Sequence, residues 1–297
     1  MRAAAERARP YVQRTPLQPV EGALLKLECL QPGGSFKVRG YFAAARALPE
    51  DQLAKGLITV SAGNAAQACA YVAKALGVPC RVLMYETAPA AKIDGVKRWG
   101  GVPILVPRDE VIAFLVEERW KSEPETFIHP FADPAVMAGH GGIGLELVDD
   151  VPDLARVVVP VGGGGLISGI ASAIKGSRDG VEVVGVQSDG YASWTTWLEA
   201  GGPTPITPST IADGTTAPFD PRMFTLLKEL VDRWITVPEP RLKAAIPQLA
   251  ATGKVVAEGA GALAYAALEQ LPPGPKTVAI VSGGNIDTKL LASLLSS

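Results

Sequence analysis

Histidine and cysteine are scarce in this 297-residue chain, which has two of the first and three of the second. Cys29, Cys69 and Cys80 are widely spaced, form no CxxC pair and have no histidine nearby to complete a zinc set, so buried free thiols are the expectation. An excess of either charge is missing too. With 28 Lys plus Arg against 30 Asp plus Glu the formal charge is −2, and no basic run offers a phosphate-backbone contact, so nucleic acid is not an expected partner. No uncharged apolar stretch reaches the roughly 18 residues of a membrane span. The opening MRAAAERARPYVQR carries charges where a signal peptide would be apolar. A cytoplasmic protein with no membrane partner is the resulting expectation. The length suits two compact lobes or one large α/β unit, and neither an internal repeat nor a low-complexity linker interrupts it.

What the chain does have is alternation. Short apolar runs at 23–28, 57–61, 80–85, 102–106, 157–161, 181–186 and 277–282 read as strands, mostly without the polar interleaving of half-exposed ones. Alanine-rich segments lie between them. In AAQACAYVAKAL, Ala68, Tyr71, Val72 and Ala75 share one helical face, and Gly77 with Pro79 marks the stop. This order predicts βαβ units and parallel sheet, hence an α/β fold. The 25 prolines cut it into short elements, and PTPITPST at 203–210 reads as a surface loop.

Two strand-to-helix transitions put small residues beyond the carboxyl end of a strand, where parallel sheets bind ligands. The first is LITVSAGNAAQ, with Ser61, Gly63 and Asn64 before a helix whose free N–H groups suit an anion. The second is VVVPVGGGGLISG, where Gly162 to Gly165 let backbone fold close around a ligand. A dinucleotide GxGxxG would need glycine at Ile167 or Ser168, and a P-loop would need Gly-Lys-Ser/Thr where Leu166, Ile167 and Ser168 stand. A phosphate cup without a lysine remains.

Taken together, RTPL, QPGGSFKVRG, SAGN, FADPAVMAG, PVGGGGL, IADG, EGAGA and VSGGN stand in the order and spacing of the serine/threonine dehydratase family of fold-type-II pyridoxal-phosphate enzymes. The chain resembles that family over nearly its whole length. The resemblance implies pyridoxal 5'-phosphate as cofactor and a small amino acid as substrate. It further implies a homodimer of subunits with two lobes, each a mainly parallel sheet flanked by helices. The small mobile lobe would span 56–132, and the cofactor-binding lobe 1–55 with 133–297. Lys37 matches the lysine whose amine bonds the cofactor aldehyde and later serves as base at Cα; Phe36 precedes it. Gly162, Gly163, Gly164, Gly165 and Leu166 match the phosphate cup, Gly214 a close-approach glycine beside the ring, and Ser282 the residue facing the pyridine nitrogen. Ser61, Ala62, Gly63, Asn64 and Ala65 match the substrate-carboxylate loop, with Asn64 also near the ring oxygen. Glu258 matches an acidic residue at the reacting face, with a helix cap as its structural alternative. The activity implied is elimination of water from L-threonine or L-serine to give a 2-oxo acid and ammonia. A racemase, another β-eliminating or β-replacing enzyme, and a cofactor-binding protein without catalysis are the alternatives.

Departures from the pattern qualify the substrate. Ala65 replaces the histidine of SxGNH, Gly259 the proline after the EGAGA glutamate, and His140 the glutamine of AGQG. His129 and His140 read as satisfied structural residues, and Asp213 as a turn residue. The family's frequent divalent-cation site is expected to be missing, because its glutamate slot holds Gln187 and Asp189 alone, beside Tyr191 and Ser193, is a poor cage. Family racemases carry a serine where Ala62 stands, so little racemisation is expected. Loss of an imidazole at Ala65 predicts room for a bulkier β-substituent, as in phenylserine, unless His140 or Tyr41 fills the space.

Overall fold

The structure, a computed structural model, describes residues 1–272 and 276–296. Among them ten strands form two sheets: β1 (Leu17–Val20), β2 (Ala23–Lys26), β3 (Leu57–Val60), β4 (Cys80–Tyr85), β5 (Val102–Val106), β6 (Thr126–Phe127), β7 (Arg156–Pro160), β8 (Glu182–Ser188), β9 (Arg233–Val237) and β10 (Thr277–Ile280). The smaller sheet has the order β5-β4-β3-β6 and is parallel throughout. The larger runs β1-β2-β10-β7-β8-β9, parallel except for the β1–β2 hairpin at its edge. The expected α/β class is thus observed. Every residue of β3, β7 and β10 is buried, as parallel strands covered by helices on both faces require. Each large aliphatic side chain so buried contributes roughly 1.5–3 kcal/mol.

All seven expected strands are present; 80–85 and 102–106 keep their expected ends, and the other five are shifted. The first stops at Lys26 because Glu28–Leu30 turns into a 3₁₀ segment, and the last stops at Ile280, where the chain leaves to build the cleft. Three strands escaped the pattern. β1 contains Pro19, tolerated only because the strand is an edge, β6 has two residues, and β9 mixes exposed and buried positions. The 203–210 segment is an irregular surface loop, as expected. The three cysteines are free and buried, with Cys69 and Cys80 Sγ atoms 3.6 Å apart.

A buried charge cluster anchors the helix that begins at Lys37 (Lys37–Ala45). Arg39 donates to Glu28 at 2.8 and 2.9 Å and to Glu146 at 2.7 and 3.0 Å, while Lys26 donates to Glu146 at 2.5 Å and to the Thr15 carbonyl at 2.7 Å. Two cations and two anions satisfy one another, which removes the several kcal/mol per ion that an unpaired buried charge costs. The cluster ties this helix to β2 and to the helix Pro134–Asp150.

Candidate active site

Beyond the carboxyl ends of β3, β7 and β10 lies a cavity of about 300 Å³. Three motifs build one wall of it through backbone contacts. Phe36 N–H donates to the Ser282 carbonyl at 3.0 Å, Gly284 N–H to Gly34 at 2.9 Å, and Glu258 N–H to Gly283 at 3.1 Å. Gly33 and Gly34 have φ of 78° and 76°, and a Cβ at Gly34 would come within 2.4 Å of Asn285 Oδ1. That is why QPGGSFK carries paired glycines. A Cβ at Gly261 would lie 2.1 Å from the Gly283 carbonyl oxygen, so EGAGA and SGGN pack backbone on backbone.

Lys37 Nζ reaches into the cavity, donates to the Pro130 carbonyl at 2.6 Å and lies 5.1 Å from the Phe36 ring centre. Loss of hydration in this recess lowers its pKa to about 8, so about a tenth of the amine is neutral at pH 7, far more than for an exposed lysine. Glu258 moves the other way. Burial raises it to about 7 against the Asn64 amide, which donates to its Oε1 at 2.5 Å. Its side chain makes no cap to the Gly259–Ala266 helix, so the capping alternative falls. Asn285 completes the cluster, donating to Asn64 Oδ1 and the Gly33 carbonyl, each at 2.8 Å.

Ser61, Ala62, Gly63 and Asn64 lead into the Asn64–Leu76 helix, which has no side-chain cap. Ser61 Oγ instead accepts from Gly63 N–H at 3.0 Å. The first N–H groups of a helix have no intrahelical partner, which suits a carboxylate there. Gly162 to Gly165 approach the Gly165–Lys175 helix with Gly164 at φ 91°. These glycines also answer to protein. A Cβ at Gly163 would sit 2.3 Å from the Phe131 ring, and one at Gly165 2.5 Å from the Phe131 carbonyl. Ser282 is buried, with Oγ 3.4 Å from the Ala260 carbonyl.

All residues nominated from sequence, namely Phe36, Lys37, Ser61 to Ala65, Gly162 to Leu166, Gly214, Glu258 and Ser282, line this one cavity. Pro130, Asn285 and Lys92 line it too and were not nominated. Asn285 lay within a quoted motif, but nothing in the sequence signalled its contact with Asn64. Asp213 is more than a turn residue, since Lys92 Nζ donates to its carboxylate. His129 is satisfied as expected, its Nδ1 accepting from Phe131 and Ala132 N–H groups. His140 requires a correction. It is fully buried against Phe36, yet among the described residues neither ring nitrogen has a hydrogen-bond partner; loss of hydration, aided by Lys37 and Arg39, holds its pKa well below the usual histidine value.

A recessed amine of lowered pKa facing a glycine-lined helix N-terminus fits an aldehyde that also bears a phosphate. The family model for "Pyridoxal-phosphate dependent enzyme" matches residues 8–283. The chain belongs to that family. Among pyridoxal-phosphate dependent enzymes it is 41% identical over 276 residues to an L-threonine ammonia-lyase of Geobacter sulfurreducens, covering 90% of this chain and 68% of the relative. It is 37% identical to a catabolic L-threonine dehydratase of Staphylococcus aureus, covering 97% and 88%. The solved maize serine racemase superposes with a TM-score of 0.92 at 32% identity, over 99% of this chain and 95% of that one. Lys37 and the segment Gly162 to Leu166 line the same cavity of this family member.

Proposed function

We propose that this chain is a pyridoxal-phosphate-dependent ammonia-lyase that converts a β-hydroxy amino acid such as L-threonine or L-serine to a 2-oxo acid and ammonia. The observation that carries the reading is the convergence of Lys37, the Ser61–Asn64 loop and Glu258 on one cavity, and the lyase relatives support it. When bound, the cofactor supplies the electron sink that makes a Cα proton labile. Lys37 would hold the cofactor at Nζ, and its free amine would take that proton. The Ser61–Asn64 backbone orients the substrate carboxylate. Glu258, protonated below about pH 7, donates to the leaving hydroxyl. The segment 56–132 acts as the mobile lobe, the protein is a cytoplasmic homodimer, and no divalent cation is required. Gln187 is committed internally, donating to the Val161 carbonyl and Ser193 Oγ and accepting from Trp194 N–H, and Asp189 accepts from Glu239 N–H.

The likeness to a serine racemase favours a second reading, conversion of L-serine to D-serine. Ala62 argues against it, because a methyl group cannot exchange a proton on the face opposite Lys37. One experiment decides between them. Borohydride reduction followed by peptide mapping should place the cofactor on Lys37, and Lys37→Ala should abolish it. L-Threonine and L-serine should yield 2-oxo acid at rates unaffected by a chelator, with D-amino acid formation at least about tenfold slower. An adduct on another lysine, or racemisation as fast as 2-oxo acid release, overturns the assignment.

A further inference from the structure

Two ties cross the cleft between the sheets. The inner one joins Asn64, at the end of β3, to Glu258 and Asn285 on the larger sheet's side. The outer one is an ion pair in which Lys92 Nζ donates to Asp213 Oδ2. Lys92 belongs to the helix Ala90–Arg98 that follows β4, and Asp213 opens the turn that carries Gly214. Both line the cavity. Their side chains are 32% and 57% exposed, which puts them at its rim, outside the buried Glu258.

The helix does not explain its lysine. Lys92 sits in the first turn, where the macrodipole disfavours a cation, while Lys97 and Arg98 already occupy the favourable last turn. What Lys92 reaches does explain it. The pair also bears on Glu258, because Asp213 favours its protonated form and Lys92 its charged form. The two act in opposite directions, with Asp213 the stronger.

We propose that Lys92 and Asp213 are positioning residues whose ion pair closes the small-sheet side over the site and so holds Asn64 and Glu258 together above Lys37. The inference rests on reading this cleft as the reaction site. The pair acts through Asn64 and Glu258, not on the reacting atoms.

The test is a charge-reversal cycle on the holoenzyme: Lys92→Met, Asp213→Asn, the double variant, and the reversed pair Lys92→Asp with Asp213→Lys. Two quantities are read at low salt, the kcat and KM for L-threonine, and the rate at which bound pyridoxal phosphate is lost, followed by its fluorescence. Each single change should raise KM about two- to fivefold, the range open to an exposed pair, with a smaller change in kcat and faster cofactor loss. The double variant should be no worse than either single one, and the reversed pair should recover to within about twofold of wild type. Salt near 0.5 M, where the screening length is only a few ångströms, should weaken the wild type by roughly the same factor and leave the double variant unaffected. Additive losses, no recovery on reversal, or equal salt responses would overturn the proposal. Cofactor loss needs no substrate. If no amino acid is turned over, the lyase reading fails while the release rates still decide the role of the pair.

Discussion

Glu258 and Lys37 are both recessed in the cleft, and burial drives each toward its neutral form, the carboxyl up to about 7 and the amine down to about 8. The consequence for stability has a definite sign. A carboxyl whose folded pKa lies above its unfolded value of 4.5 contributes most below that value and loses the contribution as pH rises through the folded pKa. The window is therefore pH 4.5 to about 7. Glu258→Gln keeps an oxygen for the Asn64 amide and removes the titration. The variant should be more stable than wild type at pH 8, by up to about 3 kcal/mol, and should show little difference at pH 4.5. Denaturant unfolding at the two pH values checks this, and equal differences at both would show that Glu258 does not titrate in this window. Motif spacing nominated Glu258, but not its partner, because Asn64 lies 194 residues away in sequence. His140 was legible as a structural residue, whereas its lack of partners depends on packing against Phe36 and Gly40 that spacing does not encode.

The elements were legible where one periodicity ruled. The buried parallel strands and the Asn64–Leu76 helix could be read directly, whereas the helix Arg108–Val116 could not be assigned a face. It is apolar all round from Val111 to Val116, with Val111 and Leu115 turned to the cavity and Ile112 and Val116 exposed. Its cavity-facing pair joins Val60 and Tyr85 in an apolar cluster, and Ala65 lines the same cavity. Neither Tyr41 nor His140 lines the cavity in place of the absent imidazole; Tyr41 is bonded to Thr59 Oγ1 at 2.9 Å. L-threo-Phenylserine should therefore be a substrate with kcat/KM at least equal to that for L-threonine, since each buried methylene gains about 0.8 kcal/mol. Ala65→His should lower the phenylserine-to-threonine ratio at least about tenfold. A ratio unmoved by the substitution would mean that the β-substituent does not reach this wall.

At the scale of the whole molecule, the two sheets behave differently toward each other than toward their own strands. Within the smaller sheet β3 is hydrogen-bonded to β4 and β6, and Thr59 Oγ1 donates to the Ile128 carbonyl at 2.8 Å. Between the sheets, at the cleft, polar ties prevail, and Asn64 makes two of them, to Glu258 and to Asn285. Polar contacts of this kind contribute about 1 kcal/mol each, whereas away from the cleft the smaller sheet shares a buried apolar cluster, including Leu57 and Val82, with Val38, Phe42 and Val136; local opening is therefore expected first at the cleft. Asn64→Ala removes the inner tie without touching either sheet's core. Amide exchange in this variant should quicken around Ser61 to Ala66 and Gly283 to Asn285, while β7 and β8, buried in the larger sheet, keep wild-type rates. Faster exchange throughout both sheets would show that Asn64 supports the global fold, and unchanged rates at the cleft would show that the two sides are held by something other than this side chain.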